Sequence, residues 1–146
     1  MQILKDQILA AGGSADIYKF DPSYGTERNK LYNSLVSASL HLDFLINNAG
    51  LAWYGFFHKM PWSNAREIIR VNIEAVAHIT SLFLPHMVEQ YFGYIINIGS
   101  IACKSPEQGV DIYSASKAFL DANTTSQHRK LKRTPGFILQ LYALDL

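Results

Sequence analysis

The fold class follows from one stretch, Asp43-Phe44-Leu45-Ile46-Asn47-Asn48-Ala49-Gly50, in which a short apolar strand runs into a tight turn. Polar residues bound the apolar run on both sides, and this pattern is typical of a strand buried on both faces of a sheet. The turn ends in Gly50, where the missing side chain allows the backbone to approach a ligand closely. The stretch therefore predicts a buried strand with a candidate binding turn at its carboxyl end.

Similar strands alternate with helices along the rest of the chain. The spacing of apolar residues predicts strands over 15–20, 94–98 and 137–142, and helices over 1–11, 27–40, 65–91 and 111–130. The third of these helices is expected to break near Asn72 and again by Pro85. The alternation predicts an α/β protein with a doubly wound parallel sheet, in which ligands bind outside the carboxyl ends of the strands. Asp21, the turn 47–50 and Ser100 all follow predicted strands, so the pattern favours a nucleotide-type site.

Length and composition narrow the class of protein. The 146 residues fit one domain, 1–146, with a sizeable core, and the net charge of +1 supplies no general field for nucleic acid or a membrane surface. No apolar run reaches the roughly 18 residues of a membrane span, so no membrane segment is expected. The single cysteine, Cys103, fits a reducing, cytoplasmic compartment. The histidines show no metal-ligand spacing, so no metal site is predicted.

The predicted helix 111–130 carries a pair of residues suited to acid/base chemistry. Tyr113 and Lys117 are four residues apart, so the phenol and the ammonium group lie on one face of the helix. A nearby positive charge favours the tyrosinate form, which makes the phenol a better proton relay near neutral pH. Such a pair suits general acid/base work on a carbonyl or an alcohol. Taken alone, the spacing is also that of a packing residue beside a solvated one.

The residues gain specificity when they are taken together. With Asn47-Asn48-Ala49-Gly50, Asn72, Ser100, Tyr113 and Lys117 in this order and spacing, the chain resembles the short-chain dehydrogenase/reductase family over residues 1–146. The resemblance implies a Rossmann-like, doubly wound parallel sheet. It also implies an NAD- or NADP-dependent oxidoreductase that transfers hydride between the nicotinamide cofactor and a small-molecule carbonyl or alcohol substrate.

The resemblance also assigns roles to the residues. Tyr113 would be the general acid/base, Ser100 would hydrogen-bond the substrate oxygen, and Lys117 would hold the nicotinamide ribose and promote ionisation of the phenol. Asn72 would bend its helix and hold a water molecule in the proton relay. The cofactor-binding set would be Asp21 at the adenine, Asn48, Ala49 and Gly50, and Tyr113 and Lys117. The turn Asn47–Gly50 as a whole would line the adenosine side and brace the sheet.

Two residue assignments have alternatives. Asp21 precedes Pro22 and is equally an ordinary turn residue, and Asn72 is alternatively a helix-interior polar residue that faces solvent. The aromatic loop around Trp53 and Phe57 either lines a substrate pocket or covers the core. For the whole chain, the competing function is a non-catalytic truncated remnant that acts at most as an association module.

The sequence departs from the family pattern at both ends. It lacks the N-terminal glycine-rich cofactor loop, the first two strands and the last strand of the family, so we interpret it as an incomplete member. In the usual strand order the missing strands lie between 15–20 and 43–47. We therefore expect the isolated chain to bind NADH or NADPH no tighter than about millimolar and to show no turnover. In the family, the helices matching 65–91 and 111–130 pair across a two-fold axis, so a homo-oligomer is expected.

Overall fold

The computed structural model describes residues 1–105 and 108–131 with their side chains, and the backbone of 137–144. The helices are α1 (Gln2–Ala10), α2 (Gly25–Ser37), α3 (Trp62–Ile69), a π-helical turn (Arg70–Ala75), α4 (Val76–Glu89) and α5 (Asp111–Leu131). The strands are β1 (Phe44–Asn47), β2 (Gly93–Ser100) and β3 (Phe137–Leu144), and short 3₁₀ turns cover Phe57–Lys59 and Ile101–Cys103. The helices and these three strands agree with the sequence prediction to within a few residues.

The strands form a parallel sheet in the order β1-β2-β3. In this register Asn47 pairs with Asn97, and Ser100 pairs with Leu144. Every second residue along β2 from Gly93 to Gly99 is buried, because β2 is hydrogen-bonded on both sides and packed beneath helices. The parallel α/β architecture predicted from the sequence is confirmed, and it brings the carboxyl ends of the strands to one edge.

The core lies where helix α4 meets the amino end of β2. Met87 and Ile95 are 1% and 0% exposed, and partly buried leucines pack around them. A methyl group on Gly93 would lie 2.8 Å from the Met87 Cβ atom, so only glycine lets the helix approach the strand this closely. The tight contact fixes the helix layer against the sheet on which the candidate site is built.

The long helical segment Trp62–Glu89 changes its winding at Asn72 and is continuous at Pro85. The predicted break near Asn72 is present as the π-helical turn Arg70–Ala75. The predicted break by Pro85 is wrong, since α4 continues through it to Glu89. Pro85 and Ser81 are both exposed, so water can satisfy the carbonyl group that the proline leaves without an N–H donor. The helix therefore tolerates the proline.

The segment Trp62–Glu89 is also long and apolar enough to cross a membrane, with a mean hydropathy of 1.3. By length and composition alone, this helix therefore departs from the expectation that the chain has no segment able to span a membrane. Ile68, Val71, Val76 and Phe83 are all buried. A core helix of an α/β protein has the same composition, because its inner face is covered by the sheet and its neighbours. The length and composition of this segment are therefore weak evidence for a membrane span.

The predicted strand over 15–20 is not a strand. Residues 14–20 have no regular hydrogen-bonded structure, although they follow helix α1 as expected. Ile17 and Phe20 instead border a cavity of about 720 Å³, whose other walls include Leu45 and Ile46 of β1. A strand needs a hydrogen-bonded neighbour, and the cavity separates this segment from the edge of β1. The alternation of apolar residues over 15–20 therefore lines a cavity wall and does not form a strand.

Candidate active site

Helix α5 brings Tyr113 and Lys117 together as the helical spacing predicts. The Lys117 side chain is buried, and its Nζ lies 5.6 Å from the centroid of the Tyr113 ring. The same Nζ donates a hydrogen bond of 2.6 Å to the carbonyl oxygen of Ile98 in β2. The sheet thus holds the ammonium group in place beside the phenol ring.

Burial also changes the acid–base behaviour of this lysine. Removal of Lys117 from water disfavours its charged form, so its pKa is lowered from the ordinary value of 10.5. A buried lysine with a lowered pKa beside a tyrosine is the kind of perturbed group that collects at functional sites. An ammonium group has three donor hydrogens, and among the described residues Lys117 uses one of them, in its bond to Ile98.

Asn72 connects the segments that form the site, and its side chain does not face solvent. It is 1% exposed, its Oδ1 accepts from the N–H of Leu51 at 2.8 Å, and its Nδ2 donates to the Leu51 carbonyl at 2.9 Å. A second Nδ2 hydrogen reaches the Ser116 hydroxyl at 2.9 Å. Both amide donors are therefore used. The π-helical turn presents this side chain to two other segments at once, as such turns often do at functional sites.

The turn after β1 lies against the same residues. A methyl group at Gly50 would lie 3.6 Å from the Asn72 Oδ1 and 3.8 Å from the Lys117 Nζ, both ordinary contact distances. Packing within the chain therefore does not demand glycine here. The glycine leaves space directly beside the lysine ammonium group.

Ser100 ends β2 at the carboxyl edge of the sheet. It is 5% exposed, and its Oγ accepts a hydrogen bond from the N–H of Ala102 at 3.2 Å, which starts the 3₁₀ turn Ile101–Cys103. This bond uses a lone pair of the hydroxyl, so the O–H hydrogen remains a donor. Ser100 comes two residues after Ile98, the residue that binds Lys117. Strand β2 therefore carries both groups to one edge.

Asp21 has the turn geometry that its sequence context predicts. Its exposed carboxylate accepts the N–H of Ser23 at 2.8 Å, and this backbone hydrogen bond lowers the pKa of Asp21. The following residue, Pro22, borders the 720 Å³ cavity together with Asn48 and Ala49. The two segments expected on the adenosine side therefore share one cavity wall.

A buried arginine, which sequence reasoning missed, fixes the loop after Asp21. Arg28 is 2% exposed, donates to the Pro22 carbonyl at 3.0 Å and forms an ion pair with Glu74 in the π-helical turn. It ties this loop to the turn that holds Asn72. An arginine in an otherwise polar helix start offers no sequence signal for such burial.

The aromatic loop does not cover the core. Tyr54, Phe56 and Phe57 are 80%, 69% and 61% exposed. They border a pocket of about 480 Å³ together with Gly109 and Asp111, and the N–H of Gly55 donates to the Gly109 carbonyl at 2.9 Å. Of the two alternatives left by the sequence, the structure favours the lining of a pocket near the start of α5.

A buried polar chain beneath the site was only partly predicted. The Asn47 Nδ2 donates to Asn97 at 2.8 Å and to Thr80 at 3.3 Å, and the Asn97 Nδ2 donates to Thr124 at 2.9 Å. Asn47 braces the sheet as expected, whereas the other three partners were missed. Asn97 had a signal, because an amide in the middle of an apolar strand must find a partner.

The comparison with known proteins decides the family. A family model described as short chain dehydrogenase matches residues 1–137. The chain is a member of the short-chain dehydrogenase family. Its resemblance to that family, read from the sequence motifs, is thereby confirmed.

Several members of the family are similar to this chain. The ketoacyl reductase HetN of Nostoc sp. is 33% identical over 141 residues, covering 91% of this chain and 49% of that protein. The NADP-dependent 3-hydroxy acid dehydrogenase YdfG of Escherichia coli K12 is 35% identical over 122 residues, covering 82% of this chain and 48% of that protein. A metagenomic short-chain oxidoreductase solved with NADP is 31% identical with a TM-score of 0.91, covering 97% of this chain and 64% of that one.

These comparisons support the fold and the coarse class of protein. The structural similarity confirms the Rossmann-like α/β fold. YdfG is an NADP-dependent dehydrogenase, and two of the similar structures were solved with NADP and with NAD+. The short-chain dehydrogenase described here spans about half the length of the curated relatives it matches.

Proposed function

We propose that this short-chain dehydrogenase acts as an NAD(P)-dependent oxidoreductase that interconverts a carbonyl and an alcohol, with Tyr113 as the general acid/base. The observation that carries the proposal is the buried Lys117 ammonium group, held 5.6 Å from the Tyr113 ring centroid and beside the open Cα of Gly50. A buried cation has to be compensated, and among the described residues the Ile98 carbonyl alone accepts from it. A ribose hydroxyl and an ionising phenol are suitable further partners.

Each side chain has a separate task in the proposed reaction. The nicotinamide cofactor supplies or accepts the hydride when bound. In the reductive direction the Tyr113 hydroxyl gives its proton to the substrate oxygen, while the Ser100 hydroxyl donates a hydrogen bond to that oxygen. Lys117 stabilises the tyrosinate that forms. Because both amide donors of Asn72 are used inside the chain, a relay water would be held by the main chain of the π-helical turn rather than by those donors.

The residues present fit one end of a dinucleotide better than its middle. Lys117, Tyr113 and the open Gly50 offer donors and space for the nicotinamide ribose, and the cavity beside Pro22, Asn48 and Ala49 suits the adenosine side. A pyrophosphate is usually bound by a glycine turn that leads from a strand into a helix. In the part of the chain that the structure describes, Gly12 and Gly13 follow helix α1 and do not form such a turn. The choice between NAD and NADP stays open.

Substitution of the tyrosine tests the proposed chemistry. In any form of the protein with measurable turnover, Tyr113→Phe removes the phenolic proton and leaves the ring packing almost unchanged. We expect turnover to fall at least about a hundredfold, because no other group replaces the proton donor. Tyr94→Phe is a matched control, since Tyr94 lies at the opposite end of β2, where its ring stacks on Phe44. Near-normal turnover of Tyr113→Phe would rule out its role as the acid/base.

A non-catalytic association module is the second candidate. The apolar 720 Å³ cavity and the exposed Phe44 and Ile46 on β1 favour it, because such surface is usually covered by another segment. This candidate would be supported if substitutions of Ser100, Tyr113 and Lys117 left nucleotide binding unchanged and the protein still self-associated. A cytoplasmic location is also part of the proposal, in keeping with the free thiol of Cys103.

A further inference from the structure

Two serines flank the proposed acid/base pair on α5, and their environments differ. Ser116 is 0% exposed, its hydroxyl donates to the Tyr113 carbonyl at 2.7 Å, and its oxygen accepts from the Asn72 Nδ2 at 2.9 Å. Ser114 is 3% exposed, yet its Oγ is buried and has no hydrogen-bond partner among the described residues. The two serines are thus about equally buried, but Ser116 is hydrogen-bonded to two other groups, whereas Ser114 serves as a comparison without such bonds in the same part of the chain.

We propose that Ser116 is a positioning residue that sets where Tyr113 and Lys117 lie relative to the π-helical turn. The inference rests on the proposed function for its meaning in catalysis, since it concerns the placement of that pair. Its physical basis is a continuous hydrogen-bond chain that runs from Leu51 through Asn72 and Ser116 to the Tyr113 carbonyl.

The hydrogen-bond chain ends at the Tyr113 carbonyl, which connects the backbones of both members of the pair. In an α-helix the carbonyl of residue 113 accepts from the N–H of residue 117. Ser116 places a second hydrogen bond on the same carbonyl. Any displacement of the serine therefore acts directly on the backbone turn that orients the phenol and the ammonium group.

A serine inside a helix often bonds back to a carbonyl of the preceding turn without any further role. Ser116 differs because its oxygen also accepts from Asn72, which is 44 residues away in the sequence. That bond joins α5 to the π-helical turn, and the two bonds between Asn72 and Leu51 extend the connection to the turn after β1. The serine thus links the turn after β1, the π-helical turn and the first part of α5.

The test compares two alanine variants of the 146-residue chain by amide hydrogen exchange followed by NMR. Ser116→Ala removes both bonds and leaves a buried Asn72 donor without a partner, so we expect exchange of the amides at 113–117 to rise about tenfold or more. Ser114→Ala removes a hydroxyl that has no hydrogen-bond partner in the described part of the chain, so those amides should stay within about twofold of their original rates. Cross-peaks between the Tyr113 ring and the Lys117 side chain should weaken only in Ser116→Ala.

The outcomes separate positioning from a general structural role. Unchanged exchange at 113–117 in Ser116→Ala, equal effects of the two variants, or a uniform rise over all helices and strands would each overturn the inference. If Ser116→Ala does not fold, Ser116→Thr decides, because threonine retains the hydroxyl. Original exchange rates and ring cross-peaks in that variant support the inference, and their loss refutes it. None of these readouts needs a cofactor. If no form of the protein showed turnover, that result would refute the proposed function and leave the inference about Ser116 standing.

Discussion

Asn97 lies at the centre of the buried polar chain that joins helices α4 and α5 to the sheet. Its substitution should therefore lower the free energy of unfolding. The side chain is 2% exposed, accepts from Asn47 at 2.8 Å and donates to Thr124 at 2.9 Å. Asn97→Ala leaves both partners buried without their bond, although Asn47 retains its weaker contact with Thr80 at 3.3 Å. Each unsatisfied buried group costs about 1–3 kcal/mol, so we expect the free energy of unfolding to fall by about 2–4 kcal/mol.

Urea unfolding followed by circular dichroism measures this loss. With a urea dependence of about 2 kcal/mol/M, the midpoint should fall by about 1–2 M. Asn123→Ala is a matched control, because the Asn123 oxygen accepts only a partly buried intrahelical bond from Gln127 at 3.1 Å. That variant should lose less than about 1 kcal/mol.

A double-mutant cycle tests whether the chain acts as a unit. Once Thr124→Val has removed the hydroxyl, Asn97→Ala should cost about 1 kcal/mol less than it does in the original chain. A loss below about 0.5 kcal/mol for Asn97→Ala, or strict additivity with Thr124→Val, would refute the reasoning. The site would then not depend on this polar chain for its support.

Two further predictions concern charge and association. Because the folded pKa of Lys117 lies below its ordinary 10.5, the unfolded chain holds more protons between these values, so stability should rise as pH increases through that window. Urea unfolding at several pH values should show this rise in the original chain, and Lys117→Met should lose it; an equal rise in both would contradict the burial argument. We also propose a homodimer through the helical surfaces 65–91 and 111–130, where Ala115, Phe119 and Ala122 are exposed along α5. Light scattering at micromolar concentration should report the dimer, and a monomer would count against it.

The local patterns of the sequence were sufficient for most of the fold. Apolar strands such as 94–98 and the helical spacing on α5 predicted β2 and the Tyr113–Lys117 pair, because both depend on neighbours within a few residues. The segment 15–20 was predicted wrongly, since its β-pattern is realised only with a neighbouring strand. Pro85 was misjudged because a solvent-facing carbonyl tolerates proline, and exposure is not visible in a sequence.

The candidate site was harder to predict where it depends on distant contacts. Asn72 was found from its place in the motif, but its bonds to Leu51 and Ser116 join segments 21 and 44 residues away. Ser116 and Arg28 gave no periodic signal, because serine and arginine are ordinary residues on a helix surface. Only the fold shows that both are buried and bonded.

Titration of the 146-residue chain with NADH and NADPH, followed by NMR, tests whether Gly50, Ser100, Tyr113 and Lys117 form one end of a dinucleotide site. We predict saturating shifts at these residues with a dissociation constant of about 1 mM or weaker, and a further loss of about tenfold in affinity in Lys117→Ala. Shifts that avoid these residues, or affinity unaffected by Lys117→Ala, would contradict the account. Saturation at micromolar concentration would contradict the expectation that the chain lacks a pyrophosphate site.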